Sequence, residues 1–243
     1  MKRFLAAILT SSALLSGCAT NPVTGGKDFV LMSEKDEIAI GQQVNQQVLQ
    51  QYAVYDDVEL QNYVQYVGAK VAAKSHRPEL SYHFTVLDSR EVNAFALPGG
   101  YIYITRGLMS YLNTEAQLAA VLGHEVGHVT ARHAVRQHSA SQLTSIGTAI
   151  GAAFIPGLGQ AGYQLAGVLS TALLRGYGRE HELEADRLGA EYLARSGYDS
   201  GAMLEVVKAL KSQELFEFKL AKAEGREPHV YHGLFSTHPD SDT

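Results

Sequence analysis

The chain has 243 residues, of which 46% are hydrophobic and 19% are charged, and its mean hydropathy is -0.08. This composition fits one sizeable folded domain and excludes a disordered polar chain and a polytopic membrane protein. The formal net charge of -5, without a lysine- or arginine-rich run, argues against nucleic acid as a partner. The single cysteine excludes an internal disulfide bond.

The first residues have the pattern of an export signal, in which two basic residues precede an apolar run from Phe4 to Leu15. Leu15-Ser16-Gly17-Cys18 resembles a bacterial lipobox. The resemblance implies that residues 1–17 are a lipoprotein signal peptide and that Cys18 is lipidated. The alternative is a plain secretory signal with a chance cysteine. Ala19 follows the cysteine, which in lipoproteins of this type implies transport to the outer membrane, facing the periplasm.

The segment after the signal is rich in turn-forming residues, so we expect residues 18–33 to form a tether. Periodicity and capping residues then predict the following elements. Helices are predicted over 34–51, 58–74, 107–112, 115–138, 179–195 and 201–224, and strands over 82–86 and 101–105.

An apolar block extends from Leu143 to Leu174 and contains no charged residue. Pro156-Gly157 divides it into halves of roughly 12 and 15 residues, short of the roughly 20 that span a membrane. We expect a helical hairpin packed on the domain. The alternatives are a lid over a cleft or a surface in contact with lipid.

His124-Glu125-Val126-Gly127-His128 lies inside the predicted helix 115–138. Its two histidines are four residues apart and share a face, so they can bind one Zn²⁺ ion. Glu125, next to the first histidine, can reach a water on the metal without binding the metal itself. This pattern is typical of zinc peptidases, in which the metal acidifies the water and the carboxylate takes its proton.

A catalytic zinc site needs a third protein ligand. The acidic stretch from Glu180 to Asp186 is the obvious donor, and Glu182 and Asp186 share a helix face. One of them can bind the metal while the other holds a histidine ring from behind. Glu180 and Glu184 compete for these roles, and we interpret both as surface charges near a helix start.

The two motifs together resemble the M48 (Ste24-like) zinc metallopeptidases, which pair an HExxH helix with an E-x-x-x-D helix. The family's glutamate matches Glu182 and its aspartate matches Asp186. Further similar segments are Asn21–Gly25 with Leu31–Glu34, Asn93–Tyr103 and Val129–His133. The resemblance implies one zinc ion per chain, bound by His124, His128 and Glu182.

The implied fold class is α+β and zincin-like, mostly helical with a small β-sheet beside the HExxH helix. Residues 34–243 would form the metallopeptidase domain. Family members often continue past the segment that contains His238, so the chain could be truncated at its C-terminus.

In zincins an edge strand beside the metal receives the substrate backbone as an extra strand. The strand that begins with Tyr101, Ile102 and Tyr103 is the predicted cleft strand, and a core strand is the alternative. Such a cleft binds extended polypeptide backbone, so unfolded polypeptide is the expected substrate class.

Other histidines are more ambiguous. His133 lies five residues after His128, about 140° around a continuous helix, and is expected to be a structural hydrogen-bonding residue. His238 is a candidate regulatory ligand that could plug the open zinc position, as some periplasmic relatives do, with His229 and His232 as rivals.

The group that stabilises the oxyanion is not readable from the sequence. Tyr177, Arg179 and His181 precede or begin the second ligand helix and are only candidates.

Two functions follow from this pattern. The first is a zinc-dependent endopeptidase, tethered to the outer membrane, that cleaves unfolded or misassembled envelope proteins with Glu125 as the base. The second is a periplasmic chaperone or assembly factor for outer-membrane proteins, with a mostly plugged zinc site. Either function could involve the machinery that assembles outer-membrane proteins.

Overall fold

The computed structural model describes residues 18–148 and 177–228. The predicted signal peptide, most of the apolar block, and His229, His232 and His238 lie outside these ranges. The strands are β1 (Cys18–Thr20), β2 (Lys27–Phe29), β3 (His83–Leu87), β4 (Ala94–Leu97) and β5 (Tyr101–Thr105). The helices are α1 (Glu34–Gln51), α2 (Val58–Ala72), α3 (Arg106–Met109), α4 (Glu115–Thr130), α5 (His133–Thr148), α6 (Arg179–Arg195) and α7 (Ala202–Glu224).

The predicted fold class is confirmed, because the described chain is mostly helical with a small sheet packed against α4. None of the helices in the described ranges is both long enough and apolar enough to cross a membrane.

Three long helices begin at side-chain caps. Ser33, Asp57 and Thr114 each accept a hydrogen bond from the backbone N–H three residues later. At the start of α4 the side chain of Gln117 also accepts a hydrogen bond of 2.6 Å from the backbone of Asn113. These reciprocal bonds satisfy N–H groups that have no partner inside the helix.

The main sheet has the order β3-β5-β4. β5 lies in the centre, parallel to β3 and antiparallel to β4. Its side chains alternate between two apolar clusters. Ile102 and Ile104 face the larger cluster with α2, α4, α6 and α7, and Tyr103 faces the smaller one with α1 and α5. The sheet is therefore covered on both faces.

The helix α4 is the centre of the domain and is buried along almost its whole length. It packs most extensively against α6, and also against α2, α7 and β4. Glycines allow the close approach of α4 and α6. A Cβ atom added to Gly127 would lie 2.9 Å from the carbonyl oxygen of Ala185, and one added to Gly189 would lie 3.0 Å from the backbone nitrogen of His124.

The expectation of one continuous helix over 115–138 is wrong. The chain turns after Thr130, and Arg132 adopts a left-handed conformation with φ of 56° before α5 begins. The buried guanidinium of Arg132 donates to Glu37 at 2.7 Å and to the carbonyl oxygen of Met32 at 3.1 Å. These bonds to α1 and its preceding segment hold a backbone conformation that a side-chain-bearing residue rarely adopts.

The expectation of a tether over residues 18–33 also needs correction. β1 and β2 form an antiparallel hairpin, and Val30 and Met32 are buried in the smaller apolar cluster. The backbone N–H of Leu31 donates to Ser139 of α5 at 3.0 Å. The segment is therefore packed onto the domain, because its apolar residues alternate between the surface and the core.

Candidate metal centre

Three predicted ligands converge at one point between α4 and α6. Nε2 of His124 lies 2.9 Å from Nε2 of His128. Oε2 of Glu182 lies 3.4 Å from Nε2 of His124 and 3.7 Å from Nε2 of His128. All three side chains are buried. The histidines are adjacent because residues four apart on a helix share a face, and Glu182 reaches them from the first turn of α6.

This donor set fits a zinc ion. Tetrahedral bonds of about 2.0–2.1 Å place ligand atoms about 3.3 Å apart, and the three observed separations lie on either side of this value. Two neutral imidazoles and one carboxylate are a known ligand set of catalytic zinc sites. Oε2 of Glu182 is buried and has no hydrogen-bond partner among the described residues, so a cation would satisfy an otherwise unpaired oxygen.

The other oxygen of Glu182, Oε1, accepts a hydrogen bond of 2.9 Å from the backbone N–H of Tyr177. Burial alone would raise the pKa of Glu182, but its contacts with His124 and His128 outweigh burial and lower the pKa. The side chain is therefore oriented by the backbone and is ionised at neutral pH, as metal binding requires.

Glu125 follows the first ligand on α4, and its carboxylate is buried beside the three ligands. Its Oε1 atom has no hydrogen-bond partner in the described part of the chain. Burial raises the pKa of Glu125 to about 8, although the nearby His124 acts in the opposite direction. A buried carboxylate of this kind is suited to accept a proton and to release it again.

The second nitrogen of His124 is held by a carboxylate. Its Nδ1 atom lies 2.8 Å from Oδ1 of Asp186. Because Asp186 lies one turn after Glu182, α6 presents both the third ligand and the group that orients the first. Glu182 thus faces the two histidines, and Asp186 contacts the opposite side of the His124 ring.

The second nitrogen of His128 is held by another histidine. Its Nδ1 atom lies 2.8 Å from Nδ1 of His133, and Nε2 of His133 lies 3.1 Å from Oε2 of Glu184. The same carboxylate oxygen accepts a hydrogen bond of 2.8 Å from Arg136. Hydrogen bonds from His133 and Arg136 lower the pKa of Glu184 to about 2 against the effect of burial.

The interpretation of Glu184 as a surface charge is therefore wrong, because two side chains bind its carboxylate. Glu180 is exposed, as expected. Sequence reasoning named Glu184 only as a competitor for the roles of Glu182 and Asp186, and it did not connect Arg136 with the site. No periodic signal links them to it, since the connection depends on the break at Arg132 that turns His133 back toward His128.

The predicted cleft strand is also corrected. Both edges of β5 are paired, so Tyr101, Ile102 and Tyr103 cannot receive a substrate strand. In the described ranges β4 pairs with β5 alone, so its other edge is not paired with a strand. Leu97, at the end of β4, lines a small cavity together with His128 and Tyr177, which places this strand beside the ligands.

Two of the three candidate oxyanion residues lie at the site. The ring of Tyr177 stacks on His128 with ring centres 4.4 Å apart, and that of His181 stacks on His133 at the same distance. Arg179 is exposed at the start of α6. Stacking of this kind restrains the planes of the imidazole rings.

Comparison with known proteins identifies the family of this chain and several of its relatives. The model of peptidase family M48 matches residues 59–243. A beta-barrel assembly-enhancing protease of Escherichia coli (strain K12) is 29% identical over 234 residues, which cover 93% of this chain and 46% of that protein. The chain therefore spans about half the length of that relative.

The similarity extends to mitochondrial proteins. The mitochondrial metalloendopeptidase OMA1 of Schizosaccharomyces pombe is 28% identical over 225 residues, covering 90% of this chain and 62% of the relative. The protein of the same name from Arabidopsis thaliana is 35% identical over 129 residues, covering 53% of this chain and 25% of the relative. Because the family match includes the HExxH helix and the acidic helix that face each other at the candidate centre, the chain belongs to peptidase family M48.

Proposed function

We propose that this chain is a zinc-dependent endopeptidase that cleaves unfolded or misassembled polypeptide. The observation that carries the proposal is the convergence of His124, His128 and Glu182 beside the buried carboxylate of Glu125. Membership of a peptidase family and the names of the metalloendopeptidase relatives support the same reaction.

Each residue has a distinct task in this reaction. A zinc ion bound there would lower the pKa of a water molecule to about 7 and polarise the scissile carbonyl group. Glu125 accepts a proton from the attacking water and delivers it to the amide nitrogen as the C–N bond breaks. Asp186 holds the ring of His124, and the backbone of Tyr177 holds Glu182. The balance of the reaction is one water consumed per peptide bond.

An extended substrate would lie along the unpaired edge of β4. Addition of a strand to a sheet edge is driven by main-chain hydrogen bonds, which every peptide can make. A folded protein has few unpaired strands to offer. This geometry favours unfolded polypeptide as the substrate class.

The test is digestion of unfolded casein by the zinc-loaded mature protein, beside Glu125→Gln and a chelator-treated sample. We expect cleavage by the parent only. Glu125→Gln keeps the shape of the side chain and the three ligands but loses the base, so its rate should fall by at least about 100-fold. Zinc content should stay at one ion per chain. Equal cleavage by parent and Glu125→Gln would contradict the assignment of the base.

A second function is favoured by one observation. The name of the Escherichia coli relative combines a protease with enhancement of β-barrel assembly. An assembly factor for outer-membrane proteins would use the same edge strand for binding, with cleavage a rare event. Glu125→Gln distinguishes the two functions in the cell, because a binding role survives the change and a hydrolytic role does not.

We propose that the protein acts in the periplasm, anchored to the outer membrane through lipid on Cys18. The lipobox-like sequence before this cysteine supports the anchor. In cells given radiolabelled palmitate, we expect label in the parent and none in Cys18→Ser. Label in both proteins would overturn the anchor site, and label in neither would favour a plain secretory signal.

A further inference from the structure

The two histidine ligands are supported in different ways. His124 contacts a carboxylate directly, through Asp186. Nδ1 of His128 reaches a carboxylate only through the ring of His133, which lies between it and Glu184. A ligand histidine usually donates its second N–H to an acceptor that fixes its tautomer and ring orientation. For His128 that acceptor is another imidazole.

The direction of each hydrogen bond in this chain of residues follows from metal binding. Nε2 of His128 points toward Glu182 and His124, so with a metal bound there it would present a lone pair, and Nδ1 would carry the proton. Nδ1 of His133 must then accept, which leaves its proton on Nε2. That N–H donates to Oε2 of Glu184 at 3.1 Å. With the metal bound, both rings would therefore be neutral and each would have a single tautomer.

Arg136 fixes the far end of the arrangement. Its Nη1 atom donates to Oε2 of Glu184 at 2.8 Å, and its Nε atom lies 3.7 Å from Oδ2 of Asp28. The same oxygen of Asp28 accepts a hydrogen bond of 2.7 Å from Asn21. The support of His128 thus reaches the N-terminal hairpin, which lies outside the residues matched by the family model.

Burial restricts the ring of His128 to one orientation. His128 and His133 are buried, so neither ring can exchange its partner for water without breaking the packing of Tyr177 and His181 against them. A buried N–H without a partner costs about 1–3 kcal/mol. The ring of His128 therefore has one favourable orientation, the one in which Nε2 faces the ligands.

We propose that His133, backed by Glu184 and Arg136, is the positioning residue that fixes His128 as a metal ligand. The inference rests on the proposed zinc site and adds to it a role for residues that do not touch the metal. The inference requires that variants of His133 and Glu184 bind the metal more weakly while they remain folded.

The central experiment is a zinc titration of the metal-free protein against a chromogenic chelator, for the parent and His133→Phe. Phenylalanine keeps a ring between Tyr177 and His181 but accepts no hydrogen bond. We expect zinc affinity to fall by about 10- to 100-fold, the usual effect of losing such a partner. The Co²⁺-loaded variant should also show shifted and weaker visible absorption bands, because the ring of His128 is no longer held in one orientation.

Two further variants separate the hydrogen bonds from packing. In His133→Asn the amide oxygen lies near the former Nδ1 position and can accept from His128, so we expect affinity between those of the parent and His133→Phe. In Glu184→Gln the acceptor oxygen remains but the charge is lost, and we expect a decrease of roughly 3- to 10-fold. The double variant His133→Phe/Glu184→Gln should be little weaker than His133→Phe alone, because the two residues act in series.

The matched control is His83→Phe, which removes an exposed histidine of β3 and should leave zinc affinity and the cobalt spectrum unchanged. Thermal unfolding of each metal-free variant reports on the fold. Should His133→Phe fail to fold, Glu184→Gln decides, since its partly exposed side chain keeps its size and shape.

If His133→Phe and Glu184→Gln both fold, bind zinc within twofold of the parent and show an unchanged cobalt spectrum, the positioning role of His133 is overturned and the proposed function is not. A parent protein that binds no zinc would overturn the proposed function and the inference with it. The two failures are therefore distinguishable.

Discussion

Glu37 is a carboxylate held between two guanidinium groups in the interior. Its Oε1 atom lies 2.8 Å from Nη1 of Arg77, and its Oε2 atom lies 2.7 Å from Nε of Arg132. All three side chains are buried. Arg77 also donates to the carbonyl oxygen of Val129 at 3.2 Å, near the end of α4. This ion-pair network fastens α1 to the turn that separates α4 from α5.

The change Glu37→Gln should destabilise the fold strongly. It leaves two buried guanidinium groups with too little negative charge, and breaking a buried ion pair in this way costs about 3–5 kcal/mol. Urea unfolding of the metal-free protein measures the free energy of unfolding without a contribution from zinc binding. The matched control is Glu34→Gln, whose half-exposed carboxylate also contacts Arg77 and should contribute no more than about 1 kcal/mol. If both changes lower the free energy of unfolding equally, burial of Glu37 does not make its ion pairs more important than that of Glu34.

At the scale of elements, the packing of α4 against α6 decides whether the ligands meet. Gly127 lies inside the metal-binding motif, and its face touches the backbone of α6 at Ala185. Gly123 lies one turn earlier on α4. A Cβ atom added there would lie 3.4 Å from its nearest neighbour, the side chain of Val71, which is an ordinary contact distance. The two glycines of one helix therefore face different amounts of space.

We expect Gly127→Ala to weaken zinc binding and Gly123→Ala to be tolerated. Alanine favours a helix by about 1 kcal/mol over glycine at either position. At Gly127 the new methyl group meets backbone atoms, so α6 must move, at a cost of about 1–3 kcal/mol, and Glu182 moves with it. Chelator competition should show a decrease in affinity of about 10-fold for Gly127→Ala only. An unchanged affinity in Gly127→Ala would show that α6 is free to adjust.

The elements that carry the chemistry could be predicted because their signals are local. The capping residues and the HExxH spacing define α4, and the acidic repeat defines the face of α6. The break at Arg132 could not be predicted, because Glu37, 95 residues away in sequence, stabilises it. The strand order had the same difficulty, since local alternation identifies β5 but not its two neighbours. His133 was correctly expected to form hydrogen bonds, yet its partner depends on that break.

At the scale of the whole molecule, the structural unit is larger than the family match. Residues 59–243 match the family model, but the preceding segment supplies Val30, Met32, Ile40, Val44 and Val48 to the smaller apolar cluster. These side chains cover the face of the sheet that carries Tyr103, whose hydroxyl group donates to Asn45 of α1. The same segment provides Glu37 and Asp28. The hairpin, α1 and the matched region therefore pack together around shared apolar clusters and ion pairs.

A fragment that begins at residue 59 should therefore not fold cooperatively. The fragment lacks α1, so the apolar face of the sheet is exposed. The buried guanidinium groups of Arg77 and Arg132 also lose the carboxylate of Glu37. Circular dichroism during urea unfolding should show a broad transition in place of a sharp one, and the fragment should bind the dye ANS, which detects exposed apolar surface. The control is a chain that begins at Ala19, which retains the hairpin and should unfold as sharply as the parent. If the fragment has the parent's urea midpoint of unfolding and zinc affinity, the matched region is a domain by itself and the N-terminal contacts do not stabilise it.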